Sequence, residues 1–168
     1  MTFATFSAMP LNASNAAVNK QLAVVANGKN LGNLLLVGDF GCGKTEIATT
    51  MPLWFSTALG YPSTHHNFHD CTHGLPASLL LNFAQTMTIS PYGVDFMVLD
   101  EIDKLPSAQQ ANTLLTPLTI NPDQKIFILT ANDIHRVPAS VQSRCLTLHI
   151  KAPTPHEVLP YVMGEIRA

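Results

Sequence analysis

A chain of 168 residues fits one compact domain with enough sequence to bury a core. With 46% hydrophobic and 12% charged residues the composition is that of a globular protein, not a disordered one. A net charge of −2 gives no support for tight nucleic-acid binding by this domain alone, and three widely spaced cysteines form neither a disulfide framework nor a metal-ligand spacing.

In chain order, Ser14 to Ala26 places Val18, Leu22 and Val25 at helical spacing and reaches a stop at Gly28. Leu34-Leu35-Leu36-Val37 reads as a central buried strand, followed by a glycine-rich turn and a helical stretch through Ile47, Ala48 and Met51. Pro52 is expected to shorten or bend that helix. His65 to Cys71 forms a weak second strand. Pro76 suits the first position of a helix carrying Leu79, Leu80 and Phe83. Phe96-Met97-Val98-Leu99 is the next strand, and Ser107-Ala108-Gln109-Gln110 a capping box opening a helix with Leu114, Leu115 and Leu118. Ile126 to Leu129 and Leu146 to Ile150 complete the strands. Thr154-Pro155-His156-Glu157 is a second capping box, and Pro160 should kink the helix it opens. Alternating strands and helices predict a parallel α/β sheet. No leader segment and no membrane-length apolar run is seen, so a reducing cytosolic compartment is the expectation.

Gly38-Asp39-Phe40-Gly41-Cys42-Gly43-Lys44-Thr45 satisfies the phosphate-loop pattern G-x-x-x-x-G-K-[ST] between a strand and a helix. Glycines let successive N–H groups point at phosphate oxygens, and the helix N-terminus adds partial positive charge. Lys44 should reach the β and γ phosphates of ATP, and the Thr45 hydroxyl should ligate Mg²⁺. Residues Gly38 through Glu46 are therefore the expected nucleotide contacts. Cys42 is a small filler whose oxidation would block nucleotide entry.

The strand Phe96 to Leu99 ends in Asp100-Glu101. Asp100 is expected to hold Mg²⁺ through its water shell, and Glu101 to polarise the attacking water. The third apolar strand ends in Thr130-Ala131-Asn132. If it lies between the other two, Asn132 comes beside the γ-phosphate and can hold the water opposite Glu101, with Thr130 as the fallback. Pro138 suits the start of a short helix with Arg144 at its far end. That arginine is either a surface charge or a charge aimed at a neighbour's nucleotide.

The ordered set Gly38 to Thr45, Asp100-Glu101, Leu129-Thr130-Ala131-Asn132 and Ser143-Arg144-Cys145 resembles the AAA+ domain of clamp-loader subunits, of the replication factor C small-subunit and phage clamp-loader type. The resemblance covers roughly residues 14 to 160. It implies a P-loop NTPase three-layer α/β/α sandwich with a five-stranded parallel sheet over 1–152, and the start of the first lid helix over 153–168. In that family Ser-Arg-Cys carries the arginine finger, here Arg144, and the asparagine is the first sensor, here Asn132. The implied function is Mg²⁺-dependent ATP hydrolysis at an interface between AAA+ subunits of a ring. Such a ring opens a sliding clamp and places it on primer–template DNA, in the cytoplasm or, for a eukaryotic or viral source, at a nuclear or viral replication site. This chain departs from the family in lacking its basic N-terminal box, in carrying Asp39-Phe40 in the loop, and in having no counterpart of the lid and collar domains. Thr5-Phe6 followed by an asparagine-rich helix, together with Asn33-Leu34-Leu35-Leu36-Val37-Gly38, would also suit a replicative helicase loader or initiator ATPase. A nucleotide-gated binding module with negligible hydrolysis is the reading from a different class.

On an extended strand, His65, His69, Cys71 and His73 would share one face, which invites a Zn²⁺ site. A single flat strand does not give tetrahedral convergence, so solvated edge-strand histidines are the alternative.

Overall fold

The computed structural model describes residues 13–27, 32–59, 66–86, 94–119, 125–157 and 159. Gly28, His65 and Pro160 lie outside them, as does the N-terminal segment before Ala13.

Five strands form one parallel sheet: β1 (Asn33–Val37), β2 (His66–Asp70), β3 (Asp95–Asp100), β4 (Lys125–Ala131) and β5 (Cys145–His149), in the order β2-β3-β4-β1-β5. The three central strands are apolar because both of their faces are covered. Leu34, Leu36, Val98, Ile128 and Leu148 face α1 (Ala16–Asn27) and α2 (Lys44–Leu59), where Leu22, Met51 and Phe55 are buried. Leu35, Met97, Leu99, Phe127 and Leu129 face α3 (Ala77–Gln85), α4 (Ala108–Asn112) and α5 (Ala139–Gln142), through Leu80, Phe83, Ala111 and Val141. This is the expected α/β/α sandwich.

Register sets the function of this arrangement. Leu34 pairs with Ile128, and Val98 pairs with Ile128 on the other side, so the carboxyl ends of β1, β3 and β4 finish on one rim. The α2 crossover lies on one face and α3 to α5 on the other. In open parallel sheets the crevice beside such a reversal, outside the carboxyl ends of the strands, is where ligands bind.

Several local expectations shift. Pro76 stands one position earlier than expected, as the cap of α3, and Pro138 stands at the start of α5 as expected, as its cap. Helix α2 continues through Pro52 for 16 residues. Ser107 caps α4 by accepting from the Gln110 amide at 3.3 Å, but the Gln110 side chain turns away to accept from Leu75 N at 3.2 Å. The regular part of α4 ends at Asn112, short of Leu114 and Leu118. The Thr113 hydroxyl bonds back to Gln110 O at 2.6 Å, and Pro117, which lacks an N–H, disfavours helix at the residue before it. Leu114 and Leu118 still reach the core from hydrogen-bonded turns. Of the second capping box the glutamate half forms, with Glu157 accepting from both Thr154 N and Thr154 Oγ1, while the Glu157 amide donates to Thr154 O at 3.0 Å and not to the hydroxyl.

The histidine segment is corrected. Strand β2 stops at Asp70, whose side chain accepts from Thr72 N and turns Cys71–His73 into a 3-10 turn. Cys71 is fully buried in the core, and burial pushes its thiol up to about 12. His69 Nε2 pairs with Gly74 O at 2.9 Å, while His73 is exposed. The residues do not share a strand face. Among the described residues, no group of three or more His, Cys, Asp or Glu side chains can hold a metal ion.

Candidate nucleotide site

The loop after β1 owes its shape to glycines for two different reasons. Gly41 and Gly43 have φ of 78° and 88°, a left-handed backbone that side chains disfavour. A Cβ at either would meet nothing within 4 Å, so the loop's face is open to a bound group. Gly38 is different: a Cβ there would lie 2.2 Å from Ile150 O. It is a close-approach glycine, with its N–H donating to Ala131 O at 3.3 Å.

Helix α2 begins at Lys44, so its first-turn amides point out of the helix toward the open face of the loop. Glu46 lies in that first turn, exposed, and Asp39 and Phe40 are exposed at the loop tip, Phe40 at 83%. Lys44 is only 6% exposed. Its ammonium donates to Gly38 O at 2.9 Å and Asp39 O at 2.8 Å, and contacts Cys42 Sγ at 3.7 Å. A buried ammonium needs acceptors, and here the loop's own carbonyls supply them.

Across the crevice, Thr45 Oγ1 lies 2.9 and 3.0 Å from the two oxygens of Asp100. Asp100 closes β3 and is 9% exposed. A hydroxyl and a carboxylate side by side form a hard-oxygen donor pair of the kind Mg²⁺ takes together with phosphates and water. These residues therefore fit such a cation.

Glu101 follows in a left-handed conformation, φ 56° and ψ 47°, the one non-glycine residue of positive φ among those described. Such strain clusters at functional sites. The bend lifts the Glu101 side chain off the strand direction into two contacts. Oε1 accepts from Asn132 Nδ2 at 3.3 Å, and Oε2 pairs with Lys104 Nζ at 3.0 Å. Asn132 thus stands where the sheet order requires, beside Glu101, because β4 separates β1 from β3.

The Thr130 hydroxyl bridges the two acids. It lies 2.6 Å from Asp100 Oδ1 and accepts from Glu101 N at 2.9 Å. Sequence reading keeps Thr130 only as a stand-in for Asn132. The available signal is a lone hydroxyl inside a strand whose neighbours, Ile128, Leu129 and Ala131, are apolar and buried. Lys104 and Asp103 also escape that reading. Asp103 is 5% exposed and accepts from Asp133 N at 3.3 Å, which ties the turn after β3 to the turn after β4.

Arg144 is not on this rim. It precedes β5 at the amino end of the sheet, exposed, with Nη1 donating to Ser140 O at 2.7 Å and Nε to Thr119 Oγ1 at 3.4 Å. A five-residue strand spans roughly 17 Å, so Arg144 stands a full strand length from the loop on β1.

Residues 34–153 match the family described as ATPase family associated with various cellular activities (AAA). The chain is similar to DNA polymerase III subunit tau of Escherichia coli, 29% identical over 154 residues, covering 78% of this chain and 24% of that protein. It is equally similar to human replication factor C subunit 5, 29% identical over 138 residues, covering 80% of this chain and 40% of the relative. It therefore spans less than half the length of these relatives. Among solved structures, Thermotoga maritima RuvB T158V superposes with a TM-score of 0.64 at 15% identity, over 88% of this chain and 48% of that one. Caenorhabditis elegans PCH-2 gives 0.67 at 17% identity, over 89% and 46%. These likenesses show the fold. With the family match spanning the sheet from β1 to the residues beyond β5, the chain belongs to the AAA family of ATPases.

Proposed function

We propose that this domain binds ATP in the crevice between the Gly38–Thr45 loop and the ends of β3 and β4, and hydrolyses it as a subunit of a clamp-loader-type assembly. One observation carries the site: Thr45, Asp100, Thr130, Glu101 and Asn132 form a continuous chain of contacts of 2.6 to 3.3 Å along one rim of the sheet.

In this reading the loop amides and the N-terminus of α2 bind the phosphates. Lys44 exchanges a loop carbonyl for a phosphate oxygen. Thr45 and Asp100 hold Mg²⁺, which when bound supplies charge neutralisation for the phosphates. Glu101 accepts the proton of the attacking water, and Asn132 fixes that water in line with the γ-phosphate. Arg144, a strand length from its own loop, serves an adjacent subunit's site. That position favours a shared interface over a self-contained one, and it argues for AAA+ subunits as partners.

The clamp-loader assignment rests on Ser143-Arg144-Cys145, on the Asn132 motif, and on the similarity to the two replication proteins above. A sliding clamp and primer–template DNA are the corresponding partners, and a cytoplasmic or nuclear replication site the corresponding location. Among the described residues no helix is long and apolar enough to cross a membrane.

Two variants test the roles against each other. Lys44→Ala should abolish ATP binding in a fluorescent-nucleotide titration. Glu101→Gln should bind ATP within a few-fold of the parent, yet lose about 10²–10⁴-fold in turnover, the usual contribution of a general base. Equal binding and turnover in both variants and the parent would overturn the assignment.

A further inference from the structure

The Thr130 hydroxyl links two carboxylate residues that the proposed reaction uses separately. Its donor and acceptor roles are fixed by chemistry. The Glu101 amide has only a hydrogen to offer, so at 2.9 Å it donates to Thr130 Oγ1. The hydroxyl's own hydrogen is then free for Asp100 Oδ1, which lies 2.6 Å away. Thr130 is fully buried, so water does not replace either bond.

Two consequences follow at the metal-binding pair. Oδ1 of Asp100 receives the Thr130 hydrogen bond, and Thr45 Oγ1 stands nearly equidistant from the two oxygens, 2.9 Å from Oδ1 and 3.0 Å from Oδ2. Thr130 therefore holds one oxygen of Asp100 and so fixes the carboxylate with both of its oxygens in reach of Thr45. The same hydroxyl anchors the backbone of Glu101, the residue held at φ 56°. A single side chain on β4 thus fixes the orientation of the Asp100 carboxylate and anchors the backbone from which the Glu101 carboxylate projects.

We infer that Thr130 is a positioning residue for the metal half of the site: its buried hydroxyl presents Asp100 to a divalent cation and couples that carboxylate to Glu101. This rests on the nucleotide-site reading above and extends it to a residue that touches neither nucleotide nor metal.

The test is the Mg²⁺ dependence of ATP binding by the full chain, measured with a fluorescent ATP analogue in EDTA and across a Mg²⁺ titration. Thr130→Val keeps the shape and removes the hydroxyl. It should bind the analogue in EDTA within about twofold of the parent and need about tenfold more Mg²⁺ to reach half-saturation. Thr130→Ser should restore the parent's Mg²⁺ requirement. Thr130→Ala provides the comparison if valine is poorly tolerated, because Ala and Ser both lack the methyl and differ only in the hydroxyl.

Identical Mg²⁺ dependence in the Ser and Ala variants overturns the inference. So does an equal loss of binding with and without Mg²⁺, since that is the signature of general disruption. Failure of the underlying reading looks different: a parent that binds no ATP, or one that Lys44→Ala leaves unchanged, refutes the nucleotide site itself. A parent that binds ATP with no Mg²⁺ enhancement refutes the metal pair and this inference together.

Discussion

The two ends of the sheet handle buried polar groups in opposite ways. At the amino end, Asn33 is 6% exposed and uses both halves of its amide internally. Nδ2 donates to Leu118 O at 2.9 Å and Arg144 O at 3.3 Å, while Oδ1 accepts from Phe127 N at 3.1 Å. Lys125, 3% exposed, pairs with Asp95 and rests 5.0 Å above the Phe83 ring. Each group there finds its partner inside the chain. At the carboxyl end, Asp100 and Glu101 keep acceptor capacity beyond the bonds they make, since an ionised carboxylate offers about four lone-pair sites. A strained residue and an open glycine loop stand beside them. The closed network holds strands together, and the open one has chemistry left to offer.

Substitutions in the two buried polar networks should therefore separate into effects on folding and effects on turnover. The exposed Arg144 side chain, outside the closed network although at the amino end, belongs with the second. The largest effect is expected from Arg144, whose side chain is exposed at the amino end. Arg144→Ala should leave ATP affinity of the isolated chain unchanged, while turnover of the assembled protein falls about 10³-fold or more, as for arginine fingers supplied in trans. Phosphate release measured against protein concentration checks this. A rate independent of concentration, and unaffected by the substitution, would place the whole reaction within one chain. Next in size, Asn33→Ala strands a buried amide and two carbonyls, and should lower the unfolding free energy by about 3 kcal/mol in denaturant titration. ATP affinity of the folded fraction should not change. An affinity loss there would break the division between the two ends.

The smallest effect concerns the junction of the chain's two outer segments. Glu157 accepts from Thr154 N and Oγ1 and from Ser14 N and Oγ. The Thr154 bonds, backed by those from Ser14, hold its carboxyl at about 2 against an ordinary 4.5. A lowered value favours the ionised form in the folded state, so its stabilising contribution is complete above about pH 4.5 and fades as pH falls toward 2. Hydrogen exchange near Ser14 and Thr154 should differ between parent and Glu157→Gln at neutral pH, and the difference should shrink below pH 4.5. A difference that stays constant down to pH 2 would mean that the carboxylate charge is not what holds the junction.

How much of this is legible without coordinates depends on the physics of each element. Strands β1, β3 and β4 announce themselves because burial on both faces demands unbroken apolar runs, and the glycine loop because backbone conformation demands glycine. Strand β2 is exposed along nearly its whole length, so its sequence carries little pattern and the following turn is misread as more strand. Asn33 and Lys125 look like ordinary strand-flanking polar residues. Their burial depends on partners 85 and 30 residues away, a distance no local pattern encodes. Among the site residues, those defined by motif are legible: the loop, Asp100, Glu101 and Asn132. Thr130, Lys104 and Asp103 gain their contacts from the strand register and the Glu101 bend, which exist only once the sheet has formed.

The glycine at position 38 has a meaning that the motif pattern hides. Its neighbours, not a bound phosphate, exclude a side chain: Ile150 lies against it on one side, and Ala131 receives its N–H on the other. A library randomised across the loop and sorted first for soluble expression, then for nucleotide capture, would lose position 38 variants at the first sort. Variants at 41 or 43 would survive to the second. One consensus letter thus records two unrelated demands, room for a neighbouring carbonyl at 38 and a left-handed backbone at 43.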